Sequence, residues 1–323
     1  ERIGGEEGGR WMRSPLRLSR PDFEKGKRFV RERARGIDRA LFEYAFGEGS
    51  RERVWEELER YQNEDGGFGR ALEPDFRLES SSPMATTVGF QYLIAVDTPA
   101  DHPLVERGIR YLLETYDERA GRWKAVPESV NRVPHAPWWH YDEERKRTSV
   151  EEAWGNPFAE IVGCFHRYSR WVPGDFFEDA TRRCLEHLDQ TKLTMHECLC
   201  YVRLAEQAPK PVRDRIIGAI RSQLADLVET RPDHWDQYSM QPLILVKTPR
   251  SPFYEELAGD VARNLDYLIE KQAEDGSWDP NWEWGQYHED WQVAKEEWKG
   301  YLTVQNLITL KAFDRIDFGE QVT

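Results

Sequence analysis

The sequence predicts an all-α fold, a single domain built from repeated helical hairpins, and three observations carry that prediction. The segment Gln272-Ala273-Glu274-Asp275-Gly276-Ser277-Trp278 has an upstream counterpart in Gln62-Asn63-Glu64-Asp65-Gly66-Gly67-Phe68, and both read Gln-x-x-Asp-Gly-(Ser/Gly)-aromatic. Apolar residues recur at helical spacing along the chain, and no stretch of useful length alternates with the period of a strand. Segments that are apolar nearly all round are followed by segments with one charged face, as buried and surface helices would be.

The repeated segment has a physical reading. The residues before each Gln have helical periodicity, so the Gln closes a helix, Asp-Gly makes a turn that needs positive φ, and the aromatic folds back to seal the corner. A degenerate third copy lies at Tyr111-Leu112, Tyr116 and Gly121-Arg122-Trp123, with Tyr116 in the Gln position. Gln62 to Tyr116 spans 54 residues, and Tyr116 to Gln272 spans 156, three units of 52. Two further copies are therefore expected near 168 and 220, where Tyr168-Ser169-Arg170-Trp171 and Gln223 with His234-Trp235 supply the aromatics. A unit of that length fits a helical hairpin.

In order, residues 1–21 are rich in Gly, Arg and Glu without an apolar period and are expected to form a flexible tail. The domain proper is expected over 22–323. A charged amphipathic helix runs from Asp22 to Phe46, with a break expected around Gly36, and Arg51 to Gln62 is its partner. Pro83 to Val96 is apolar on all sides, and Asp101 to Tyr116 has a charged face. The same pairing recurs at 156–171 with 174–190, at 194–206 with 211–230, and at 238–247 with 251–272, before a last apolar helix at 298–313. That makes six inner helices and five or six outer ones.

The Gln-x-x-Asp-Gly-aromatic pattern resembles the QW repeat of the terpenoid cyclase and protein prenyltransferase superfamily, with Gln62, Phe68, Gln272 and Trp278 in the matching positions. The resemblance implies a single (α/α)6-type toroid of inner and outer helices, in which those four residues stabilise corners and take no part in chemistry. It also implies an isoprenoid substrate. The acid motifs of the cyclases, Asp-x-Asp-Asp and Asp-Asp-x-x-Asp, are missing from this chain, and Glu73-Pro74-Asp75 is the nearest stand-in.

Composition narrows the partners. Lys and Arg number 45 against 59 Asp and Glu, a net charge of −14, which disfavours nucleic acid and anionic membranes. The longest aliphatic run, Leu243-Ile244-Leu245-Val246, falls far short of the roughly 20 residues of a transmembrane helix, and no apolar segment near the start reads as a leader. With four cysteines lacking paired spacing, a cytoplasmic location is expected. In His196-Glu197-Cys198-Leu199-Cys200 at most two ligands share a helix face, so no metal site and no cofactor are predicted, with Mg and Zn left open.

In a toroid, loops from the outer helices converge where inner helices begin, so a site is expected there. Aromatics and carboxylates alternate at those positions, and one end of the barrel is expected to hold most of the thirteen tryptophans. Glu73, Asp75 and Glu160 are the candidate catalytic acids; Trp138, Trp139, His140, Trp154, Asn156, His196, Trp235, Tyr238, Trp282 and Trp284 are the candidate substrate contacts, with Trp291, Trp298 and Tyr301 nearby.

Two chemistries use such a lining. Aromatic faces stabilise carbocations while a carboxylic acid protonates an alkene, which is the cyclase or transferase reading of an apolar isoprenoid. Tryptophans also stack on sugars between two carboxylates, the reading as a carbohydrate hydrolase or lyase acting on a glycan. A non-catalytic ligand-binding toroid is the third reading. Glu73 and Asp75 would then simply cap the next helix, and Asn156-Pro157 reads as an N-cap followed by Pro at the first helical position.

Overall fold

Serine, threonine and proline set where many of the helices start. Ser19, Ser50, Ser82 and Thr194 each accept a backbone N–H of the first turn, and Pro83 and Pro103 sit at first-turn positions where a missing N–H costs nothing. A computed structural model of the chain describes residues 14–319. Its helices are α1 (Arg20–Arg33), α2 (Gly36–Ala45), α3 (Arg51–Glu59), α4 (Pro83–Ala95), α5 (Pro103–Glu114), α6 (Gly155–Arg167) and α7 (Gly174–Leu188). They continue with α8 (Met195–Gln207), α9 (Lys210–Arg221), α10 (Leu224–Leu227), α11 (Pro242–Leu245), α12 (Tyr254–Glu270) and α13 (His288–Ala312). Among the described residues no β-strand forms beyond isolated bridges, so the protein is all-α. No helix among them is long and apolar enough to cross a membrane.

The expected alternation of burial is present. In α4 the residues Met84 to Thr87, Phe90 and Leu93 are all buried, and in α6 burial is unbroken from Gly155 to Phe165. By contrast α5 buries one stripe, Leu104, Val105, Gly108, Ile109, Tyr111 and Leu112, and turns Arg110 outward. Helix α6 packs between α4 and α8, α13 packs on α1 and α2, and α3 bridges α2 to α4. Gly163 permits a close approach of α6 to α8, since a Cβ there would stand 3.0 Å from the Leu204 Cα.

The two Gln-x-x-Asp-Gly segments build the same corner. After α3, Gln62 Nε2 donates to Gly66 O at 2.9 Å and to Leu104 O, in the first turn of α5, at 3.1 Å. After α12, Gln272 Nε2 donates to Gly276 O at 2.9 Å and to Asp22 O, in the first turn of α1, at 3.0 Å. Asp65 and Asp275 each accept the backbone N–H two residues on, and Gly66 and Gly276 take φ of 88° and 90°. Phe68 and Trp278 then donate their backbone N–H to Thr86 and Thr303. Glycine is required at the turn: a Cβ on Gly276 would lie 2.3 Å from the Lys25 carbonyl carbon.

The degenerate copy keeps the aromatic and replaces the tie. Trp123 Nε1 donates to Leu112 O as Trp278 Nε1 does to Leu268 O, at 2.6 and 2.8 Å, while Arg183 of α7 bonds Tyr116 and Gly121. The copy expected near 168 is not a corner of this kind. Tyr168 and Trp171 follow the C-terminus of α6, at the other end of the bundle, where the Trp171 indole donates to Ala100 O. Gln223 does make a corner tie, but it reaches back to Leu193 and the loop after α7.

Other boundaries differ from the sequence reading for physical reasons. Residues 1–13 of the expected tail lie outside the described residues; Leu16 and Arg17 are exposed, but Leu18 is buried and pairs with Ile316 through backbone bonds, and Ser19 caps α1. Helix α13 begins ten residues before Trp298, and α11 is a single turn, α9 having already ended at Arg221. The break expected around Gly36 is present, at Ala34 and Arg35, both extended, where the buried Arg35 guanidinium pairs with Asp38 and bonds Leu72 O.

Candidate functional site

Helices α4, α6, α8 and α13 each turn one face to a shared cavity of about 1240 Å³. Asn156, Glu160 and Gly163 on α6, His196, Leu199 and Arg203 on α8, and Trp298, Tyr301 and Gln305 on α13 recur at spacings of three and four, which place side chains on one helical face. On α4 the lining runs from Met84 to Ala95, eleven residues, or about 16 Å at 1.5 Å per residue. Much of the wall is apolar, with Ile94, Leu199, Val202, Ile244 and Leu302 among its residues.

Asp75 lies at the end where α4, α6 and α8 begin, on a loop held from outside. Its carbonyl accepts from Ala136 N at 2.7 Å, and Arg77 N donates to Pro134 O at 2.8 Å, so residues 75–77 are zipped to 134–136. Gln286 Nε2 donates to His135 O at 2.8 Å and ties in the segment before α13. A second apolar cluster, including Phe76, Met84, Trp139, Tyr141, Trp284 and Trp291, packs these loops together.

The Asp75 carboxylate stands among indoles. Trp298 Nε1 and Trp284 Nε1 donate to its Oδ1 at 2.7 and 2.9 Å, and Oδ2 accepts no hydrogen bond among the described residues. Burial pushes the acid up to about 6 although these N–H donors pull it down. The Trp282 N–H, buried and without a hydrogen-bond partner, adds to that pull. Behind it, Glu73 Oε1 accepts Asp75 N at 3.0 Å; burial first, and the neighbouring Asp75 charge second, push Glu73 up to about 8. Two carboxyl groups in this setting supply a proton donor near neutral pH.

Glu160 faces the same cavity one turn into α6, and both of its oxygens are engaged. Gln91 Nε2 donates to Oε1 at 2.6 Å and Arg203 to Oε2 at 2.9 Å. Asn156 lines the cavity at the start of α6, with Cys200 Sγ 3.5 Å from its Oδ1. At the rim His196 Nε2 meets the OH of the exposed Tyr238 at 2.7 Å. Tyr238, Trp282, Trp298 and Tyr301 form a chain of edge-to-face rings with centroids 5.1–5.8 Å apart.

Of the other sequence candidates, Trp138, Trp139 and Trp282 line the cavity, Trp139 lying edge-on to Phe76. Four do not. Trp284 is buried behind Asp75 and acts on it only through its N–H. Trp154 stacks on Phe158 at 4.0 Å, Trp235 is a buried corner residue bonded to Glu229 O and packed on Tyr267, and His140 is exposed, its Nδ1 3.2 Å from His135 Nε2. Position just before an inner helix fixes the end of the bundle but not the direction a side chain points.

Sequence reasoning missed Gln91, Arg203 and Lys247, which all line the cavity. Gln91 and Arg203 lie well inside α4 and α8, away from the helix starts where a site was expected. The signal available was Glu160 itself, since a carboxylate in an apolar helix needs a cationic partner. No protein-family model and no curated protein matches the sequence of this chain.

Proposed function

We propose that the hairpins close into an (α/α) toroid and that its central cavity converts an apolar, isoprenoid-like chain by acid-initiated carbocation chemistry. Closure is supported by the corner after α12, which bonds the first turn of α1 and so joins the last outer helix to the first. The observation that carries the chemistry is Asp75, an acid pushed up to about 6 among indoles at the end of an apolar-walled cavity.

In this reading the proton sits on Asp75 Oδ2. An alkene π pair takes that proton, leaving a carboxylate on Asp75 and a cation on the adjacent carbon. The two indole N–H groups on Oδ1 stabilise the carboxylate as it forms. Ring faces of Trp138, Trp282 and Trp298 attract the cation, each worth about 0.5–2 kcal/mol. Return of a C–H proton from the cation to the Asp75 carboxylate restores an alkene and the acid. Glu160, with both oxygens engaged by Gln91 and Arg203, is a wall-fixing group in this scheme.

The test is to screen wild type against allylic diphosphates, linear polyprenes and oligosaccharides, then assay Asp75→Asn on any substrate found. Turnover of a polyprene-type chain that Asp75→Asn abolishes, with an unchanged melting temperature, is expected. Undiminished turnover by the variant, or turnover of oligosaccharides alone, overturns the reading.

A further inference from the structure

We propose that the cavity end remote from Asp75 binds the anionic head group, a phosphate or a carboxylate, of a chain-like amphiphile whose apolar tail runs up the cavity. This rests on the cavity being the ligand site, as in the reading above, but not on proton transfer by Asp75. The two ends of the cavity differ in charge. Around the C-termini of α4, α6, α8 and α11 its lining holds four cations, Arg203, Arg213, Lys247 and Arg250, against two carboxylates, Glu160 and Glu206. A cationic mouth stands out on a chain of net charge −14.

The second observation is that these cations are largely unpartnered. Among the described residues only Arg203 has a close ion pair, with Glu160, and Arg213 has a single 3.8 Å contact to Asp214. The side chains of Lys247 and Arg250 make no hydrogen bond or ion pair there. Burial, and then the Arg203 charge, bring Lys247 down to about 8, the direction expected of a cation that lacks an anion. Lys247 is nonetheless an exposed residue of the cavity lining.

The walls between the two ends suit a hydrocarbon. Ile94, Leu199, Val202, Ile244 and Leu302 line the roughly 16 Å from this mouth to Met84. A single charged head with a long unbranched or branched tail satisfies both regions at once. A free inorganic anion would use the mouth alone.

Calorimetric titration with dodecyl phosphate, dodecanoate, dodecanol and inorganic phosphate tests this. At least one of the two anionic amphiphiles should bind tenfold or more tightly than dodecanol and than inorganic phosphate, and which one does distinguishes the head groups. Lys247→Met and Arg250→Gln should each weaken that anion tenfold or more and leave dodecanol unchanged, while Lys247→Arg retains it. Anion affinity should fall as pH rises through about 8, where Lys247 loses its charge, and Lys247→Met should remove that dependence. Asp75→Asn should bind as wild type does; anion binding by wild type with no turnover of any chain, or with turnover undiminished in Asp75→Asn, counts against the proton-donor reading and leaves this one standing. Equal binding of dodecanol and both anions, no binding of either anion, or wild-type affinity in both Lys247→Met and Arg250→Gln overturns it.

Discussion

Replacing Trp298 by Phe keeps a ring in the wall and removes one N–H from Asp75 Oδ1, a bond of 2.7 Å. A hydrogen bond to a charged group is worth about 1.5–3 kcal/mol, and one pKa unit corresponds to about 1.36 kcal/mol. The acid should therefore titrate about 1 to 2 units higher, moving from about 6 to between about 7 and 8. The bond favours the ionised form, so losing it raises the midpoint. Tryptophan fluorescence against pH reads this, with Asp75→Asn as the control in which the transition disappears. Trp284→Phe, which removes the 2.9 Å bond, should shift the midpoint the same way. A midpoint unchanged or lowered in both variants would refute the account of how the indoles hold this acid.

The raised acids also set a stability profile. Folding favours the protonated forms of Glu73 and Asp75, so their contribution is fully present below the ordinary carboxyl range and is lost as pH rises through about 6 and about 8; Glu73→Gln should flatten the upper part of that loss in chemical denaturation at pH 5 and pH 9. Gly276→Ala should lower the melting temperature far more than Gly285→Ala, because both sites have positive φ but only Gly276 would drive a Cβ into backbone, 2.3 Å from Lys25; equal losses would refute the corner geometry. Arg203→Met should destabilise by about 3 kcal/mol or somewhat less, given the partial exposure of Arg203, by leaving Glu160 unpaired, and adding Glu160→Gln should recover most of it; additive losses in that cycle would show the pair is not coupled.

Much of the fold was legible because its signals are short-range. A Gln four residues before a Gly in a turn, a Ser ahead of Pro at a helix start, and an apolar stripe at spacings of three and four are properties of neighbouring residues. They located most of the helices and the corners of Gln62 and Gln272. Where the reading slipped, a long-range contact had intervened. The expected corner near 168 followed unit spacing, but Trp171 is held by Ala100.

The site divides along the same line. The sequence reading expected acids and tryptophans to gather near helix starts, and Asp75, Glu160, Trp138, Trp139, Asn156, His196, Tyr238 and Trp282 do line one cavity. Which indole serves Asp75 was decided only by tertiary structure, since Trp284 and Trp298 stand 209 and 223 residues away. The same holds for Arg203, 43 residues from Glu160, and for the cationic end around Lys247. Helical periodicity determines which face of a helix is apolar, a matter of 3.6 residues per turn, whereas the direction of a loop side chain and the charge it meets depend on how distant segments pack around the cavity.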